Sequence, residues 1–351
     1  MTLFDTHNSP PPLVSVIIPV FNAGSYLAEA IESILNQTLA DFELFIIDDC
    51  SSDDSVAVAR RYEIQDERVT VLVNERNRGR AHSDNRGHAL ARGRYIAKMD
   101  ADDVALPHRL QTQFDFLEGR SKVALTSGFL ETFGATRTVY EYPLSADEVR
   151  SFLLFNMPVG NPTVFFRRVL ITDHHLHYDE QIQDTFGEDY EWIARVAQVA
   201  TIENQPHVLL RYRTFPAAHK ADVHARRTAK ASLIRMRVLE RAGFEASARE
   251  LHIHNTIAHY PFALGDIDLA EVHEWLAKLA AQNEQLHFAT PDALRKVLAE
   301  RWFWTCYHNP NHHVDSYREF GRWDLARGYA PTAKLKLKFW LKNKVLRRFK
   351  N

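Results

Sequence analysis

The chain reads as an α/β protein with a mostly parallel sheet flanked by helices, followed by a helical C-terminal region. Three observations predict this. Four strand segments alternate with three helical ones from Val14 to Asp103, the pattern of a parallel sheet with right-handed crossovers. Their strand segments are apolar runs rich in β-branched residues, as in strands covered on both faces. From about Val223 to Ala330 the composition turns to Ala, Leu, Arg and Glu, with Trp275, Trp302, Trp304 and Trp323 as aromatic anchors.

Each element follows from its residues. Residues 1–12 are polar, end in Pro10-Pro11-Pro12 and read as a flexible leader. Val14–Pro19 is the first strand, and a helix opening at Ser25 gathers Leu27, Ile31, Ile34 and Leu35 on one face. Phe42–Ile47 is the second strand and stops at Asp48-Asp49. Ser51-Ser52-Asp53-Asp54 then caps a helix through Tyr62. Val69–Val73 is the third strand, and Asn77-Arg78-Gly79 turns the chain into a helix reaching about Ala91. Tyr95–Met99 is the fourth strand.

Beyond it the spacing predicts a helix at Arg109–Leu117, a strand at Val123–Ser127 and an antiparallel excursion at Glu131–Glu141. Ser145-Ala146-Asp147-Glu148 is a capping box for a helix through Phe155. Val164–Arg167 and Val208–Tyr212 read as strands and Glu188–Val199 as a helix. The expected organisation is a leader (1–12), an α/β domain (13–222), a helical region (223–331) and a basic amphipathic tail (332–351).

Composition narrows the function. Charged residues make up 25% of the 351 and hydrophobic ones 45%, as in globular proteins. Two distant cysteines, Cys50 and Cys306, argue for a reducing compartment, and no apolar run is long enough to cross a bilayer. A cytoplasmic location is expected. Eight Lys or Arg lie between Lys334 and Lys350 with no acid, leaving 35 basic against 45 acidic side chains elsewhere. An acidic body is not a nucleic-acid-binding profile. Neither a GxGxxG nor a GxxxxGK[ST] loop is present, which argues against a dinucleotide fold or a P-loop NTPase. The histidine groups at 174–177, 252–254 and 308–313 lack the spacing of a structural zinc site.

The chemistry concentrates at strand ends. Tyr95–Asp103 runs from an apolar strand into Asp100, Asp102 and Asp103. Carboxylates so close repel unless a cation sits among them. A hard divalent ion, Mg²⁺ or Mn²⁺, fits such a cluster when it also meets a substrate's phosphates. The plainer reading is a solvated loop capping the next helix. Pro19–Asn22 and Asp48-Asp49 fall on the same sheet edge, where α/β proteins bind ligands. Gly187-Glu188-Asp189 supplies either first-turn acids that suit a helix dipole or a general base for a hydroxyl nucleophile.

Taken in order, VSVIIPVFN (14–22), IDDCSSDDS (47–55), Asn77-Arg78-Gly79 with Asn85, YIAKMDADD (95–103), GEDYEW (187–192) and LLRYR (209–213) resemble family 2 of the inverting nucleotide-sugar glycosyltransferases. Bacterial members of similar layout build lipooligosaccharide or capsule. The resemblance implies a GT-A fold over about residues 13–220 and a UDP-sugar donor. It implies that Pro19, Phe21, Asn22 and Asp49 meet the uridine, and that Asn77, Gly79 and Asn85 line the nucleotide. Asp100 and Asp102 match the DxD motif that meets the sugar or ribose and the metal, with Asp103 as an extra acid. Asp189, beside Glu188, matches the catalytic base. Asn161-Pro162-Thr163 and Arg167 match an acceptor-side segment. The family's histidine after the last strand has its counterpart, displaced, in His219.

In the tail, Leu337, Trp340, Leu341, Val345 and Phe349 recur at helical spacing among lysines and arginines. Such a helix can lie on an anionic membrane, which suits a lipid-linked glycan acceptor at the inner face of the cell membrane. Docking on the body is the alternative. A second class of function, a non-catalytic nucleotide-sugar-binding scaffold, would keep the fold without using the metal acids and base.

Overall fold

The structure is a computed structural model that describes residues 10–182, 187–216, 221–258, 264–309 and 314–348. The first half alternates β1 (Val14–Val20), α1 (Gly24–Leu35), β2 (Phe42–Asp48), α2 (Ser55–Gln65), β3 (Val69–Val73), α3 (Arg80–Leu90) and β4 (Tyr95–Lys98). These four strands are parallel in the spatial order β3-β2-β1-β4. The apolar runs explain the arrangement: β2 is buried along its whole length, and Val14, Val16, Ile17 and Ile18 of β1 expose nothing. Burying that much apolar surface requires helices on both faces. At the start of β4, Gly93 lies so close to β1 that a Cβ would meet the Ser15 amide nitrogen at 2.5 Å.

The chain runs outward from β1 to β3, then returns to lay β4 on the other side of β1. The crevice between β1 and β4 is therefore a topological switch point, where ligands bind in open α/β sheets. Register places Val20 beside Asp48 and Asp48 beside Val73. Asp48-Asp49 and, beyond β4, Asp100–Asp103 thus leave the sheet at one edge.

Next come β5 (Val104–Ala105), α4 (Arg109–Glu118), β6 (Val123–Gly134), β7 (Val139–Tyr140), α5 (Ala146–Leu153), β8 (Phe165–Arg167), α6 (Val169–Thr172), α7 (Glu188–Val199) and β9 (Thr201–Thr214). β7 pairs antiparallel with β6, as the excursion at 131–141 anticipates, and the described residues form one mixed nine-stranded sheet. β6 and β9 are far longer than the strands expected at 123–127 and 208–212. Polar residues break their apolar pattern, yet Thr126, Ser127, Asn204 and Gln205 are buried. Ser127 Oγ donates to Asn204 Oδ1 at 2.6 Å and Gln205 Nε2 to Thr126 Oγ1 at 3.3 Å, so the strands continue on mutual hydrogen bonds instead of apolar packing.

The chain divides into two compact units: Ala146–Pro158 joins Thr228–Asn351, and the rest forms the α/β unit. The second unit holds α8 (Ala221–Arg241) from Thr228 on, α9 (Ala248–Ala258), α10 (Leu269–Leu286), α11 (Pro291–His308), α12 (Ser316–Arg322) and α13 (Ala333–Arg348), together with α5. Within it His254 is a core residue: its ring stacks on Phe155 at 4.5 Å, Nε2 meets Leu154 O at 2.8 Å and Trp275 Nε1 donates to Nδ1.

The tail is helical, and Phe339 is buried against Phe303, Tyr307 and Tyr317. Leu337, Trp340 and Leu341 remain exposed. The side chains of Val345 and Phe349, and residues 1–9 of the expected leader, lie outside the described residues. No described helix is long and apolar enough to cross a membrane.

Candidate active site

Two loops leaving the parallel strands are stapled to each other. Asn22, in the left-handed region at φ 51°, donates its amide to Ser51 Oγ and accepts from the Ser52 amide on Oδ1. The Ala23 amide donates to Ser55 Oγ and the Gly24 amide to Asp53 Oδ2. Phe21 stands beside this staple with 54% of its surface exposed, an aromatic face free for a flat ligand.

Asp49 is buried and shapes a third loop. Its Oδ1 accepts from the Arg78 amide and Asn74 Nδ2, and its Oδ2 from the Gly79 amide at 2.8 Å. Gly79 has φ 85°, a conformation that a side chain would strain, and it delivers the chain into α3. Asn77 is exposed on the same loop. Asn85 is otherwise engaged: its amide donates to Tyr178 O and Glu180 Oε1 and accepts from the Tyr178 amide. It braces the 178–180 segment. Arg167 sits at the opposite end of β4 from Asp100, paired in register with Tyr95, and donates to Val123 O, Leu117 O and the Tyr95 hydroxyl. That placement is a correction to the acceptor-side role the resemblance suggested. His219 lies outside the described residues.

Asp100, Asp102 and Asp103 present carboxylate oxygens that all lie within 4.8 Å of one another. Burial, and then the charge of Asp100, raise the carboxyls of both Asp102 and Asp103 above the ordinary range. Asp103 Oδ1 accepts the Arg213 amide at 2.8 Å, while its buried Oδ2 has no hydrogen-bond partner among the described residues. Three hard oxygen donors with one orphaned atom fit a hard divalent cation. Tyr212 stands close enough that burial, Asp100, Asp103 and Asp102 push its hydroxyl up to about 12.

Arg80, the first residue of α3, bonds to Asp100 and lies 3.7 Å from Asp84. Burial opposes its charge, but Asp100, Asp84, Glu188 and Asp189 together hold its proton more firmly than usual. One guanidinium is thus in the field of both the acid cluster and the acids opening α7. There Asp189 Oδ1 accepts the Tyr190 amide and Glu188 Oε2 the Gly187 amide. Burial first, then the neighbouring Glu188, raise the Asp189 carboxyl, with Lys98 and Arg80 acting the other way. A carboxylate that takes up a proton more readily than usual suits general-base chemistry. Lys98 is fully buried, donating to Asp84 Oδ2 at 3.1 Å and the Tyr178 hydroxyl at 2.9 Å.

Sequence reasoning assigned no role to Arg80, Asp84, Lys98 or Tyr212. A signal existed for one: a lysine inside an apolar strand, Tyr-Ile-Ala-Lys-Met, has to find a buried acid.

The family model for Glycosyl transferase family 2 matches residues 15–171. The chain is 32% identical over 209 residues to an uncharacterized glycosyltransferase of Methanocaldococcus jannaschii, covering 58% of this chain and 71% of the relative. It is 31% identical over 159 residues to the Escherichia coli UDP-Glc:alpha-D-GlcNAc-diphosphoundecaprenol beta-1,3-glucosyltransferase WfgD, covering 45% and 62% of the two chains. Among curated relatives of this kind the chain spans from 39% to 71% of their length. The fold is that of S. aureus TarS residues 1–349, solved with UDP-GlcNAc, at TM-score 0.54 and 17% identity over 88% of this chain and 90% of that one. By these matches the chain belongs to glycosyl transferase family 2.

Proposed function

We propose that the chain transfers a sugar from a UDP-sugar to a hydroxyl of a growing bacterial surface glycan, inverting the anomeric configuration. The observation that carries this reading is the carboxylate trio, one of whose buried oxygens has no partner among the described residues, set at the switch point beside Asn22 and the Asp49-braced loop. Phe21 and Asn22 with the Asp49 loop receive the uridine. Asp100 and Asp102, with Asp103 behind them, hold Mn²⁺ or Mg²⁺, which when bound neutralises charge on the departing diphosphate.

Asp189 takes the proton of the acceptor hydroxyl as that oxygen bonds to the anomeric carbon. The bond from this carbon to the diphosphate breaks on the opposite face, and its electron pair leaves with UDP. Glu188 supports Asp189 by keeping its proton affinity raised. The acceptor is a lipid-linked glycan, as the name of the WfgD relative states for that protein. The enzyme works at the inner face of the cell membrane, where the exposed Leu337, Trp340 and Leu341 meet anionic lipid.

A panel of UDP-sugars screened by thermal shift with Mn²⁺ tests the reading. A donor at a hundred times its Kd stabilises by about 2.7 kcal/mol, and the shift should vanish in Asp102→Asn. Equal shifts in that variant, or none for any UDP-sugar, would overturn it.

A further inference from the structure

Four described cations lie near the acid cluster, and they differ in how they are committed. Lys98 and Arg109 are wholly buried. Lys98 is spent on Asp84 and Tyr178, and Arg109 on Lys98 O and Gln113 Oε1. Arg213 reaches outward: its guanidinium donates to Glu29 Oε2 and Asp102 O and lies over the rings of Tyr26 and Phe133. Arg80 is different. Its guanidinium is bonded to Asp100, a residue of the acid cluster itself, and 36% of its side chain is open to solvent. Its Nε has no hydrogen-bond partner among the described residues and lies 3.7 Å from Asp84 Oδ2, a longer ion pair than the bond to Asp100.

The oxygen that Arg80 occupies belongs to one of the carboxylates suited to a divalent cation. Guanidinium and ion therefore compete for the same negative charge. A guanidinium displaced from Asp100 retains its fork of N–H donors, the geometry that matches phosphate oxygens. It also rides on the first residue of α3, whose first turn contains no acid, so the helix dipole there favours an anion.

We propose that Arg80 is an exchanging counter-charge, held on Asp100 in the free protein and handed to the diphosphate of the donor when a divalent ion takes up Asp100. This rests on the functional reading above and adds a phosphate-binding residue to it. It also makes an order of events physical. Metal alone has to displace a cation and binds weakly, whereas metal with diphosphate gives that cation a new partner, so the two ligands bind cooperatively.

Mn²⁺ binding followed by electron paramagnetic resonance, and UDP binding followed by calorimetry, read this without turnover. In Arg80→Gln, Mn²⁺ alone should bind about three- to tenfold more tightly, because its competitor is gone. UDP in the presence of Mn²⁺ should bind about ten- to a hundredfold more weakly, the span of a lost charge-assisted hydrogen bond. Arg80→Lys, which keeps the charge and loses the fork, should leave Mn²⁺ affinity near that of the unaltered chain and still weaken UDP. It also decides the matter if the glutamine variant does not fold. Affinities for Mn²⁺ and UDP that fall together, or that do not change, overturn the proposal. Absence of Mn²⁺-dependent UDP binding in the unaltered chain overturns the functional reading itself.

Discussion

Lys98 and Asp84 form an ion pair 3.1 Å apart with 1% and 0% of their side chains exposed. It ties β4 to α3 directly behind the candidate site. Burial alone would lower the lysine's proton affinity, yet Asp84 raises it above the usual value. Removing one partner strands a buried charge. Lys98→Met should destabilise the protein by about 3–5 kcal/mol, and the double change Lys98→Met with Asp84→Leu by much less. Urea midpoints of the two variants check this; equal losses would mean that the pair is not the unit of stability.

On the proposed mechanism Asp189 carries the acid limb of activity. Its carboxyl is raised by burial and by Glu188, and the base acts only when deprotonated. The rate should therefore fall on the acid side with a midpoint above the ordinary aspartate value of about 3.9. Asp189→Asn should lose about 10²–10⁴ in kcat while still binding UDP with Mn²⁺. A variant that retains turnover rules Asp189 out as the base.

His88 sets an acid limit on stability. It is buried against Phe166, Tyr178 and Trp192, neither ring nitrogen has a hydrogen-bond partner among the described residues, and burial, then Lys98, hold it down to about 3. The unfolded chain binds this proton below about 6.5 and the folded one only near 3. Its contribution is whole above about 6.5 and is lost as pH falls from there toward 3. His88→Phe should flatten that part of the stability curve, measured as denaturation midpoint against pH. A parallel curve would show that other groups control it.

The tail offers a separable test. Phe339 anchors α13, while Leu337, Trp340 and Leu341 face outward among lysines. Replacing these three by Ser should release the protein from anionic vesicles in flotation, with little change in melting temperature, since exposed positions carry little packing. Unchanged flotation would remove the membrane from the tail's role. Binding should also weaken with salt.

Much of the geometry at the sheet's edge was legible because it depends on local pattern. Apolar β-branched runs have to be buried on both faces, and acids that end them have to emerge at the sheet's edge. Asp49, Asp100 and Asp102 could therefore be assigned to one edge from spacing alone, and α7 begins at Glu188, where its acids suggested. Strand length was less legible. β6 and β9 continue through Thr126, Ser127, Asn204 and Gln205 because each polar group finds a partner across the sheet.

The amino-acid order by itself determined the alternating units, the strand-end acids and the amphipathic tail, since each is written in residues a few positions apart. Tertiary structure alone decided which residues serve the acids. Arg80 meets Asp100 twenty positions away, Asn85 is drawn off to Tyr178, and Ala146–Pro158 joins the helical unit. These partnerships are electrostatic and steric contacts between distant segments, and no periodicity in the chain encodes them.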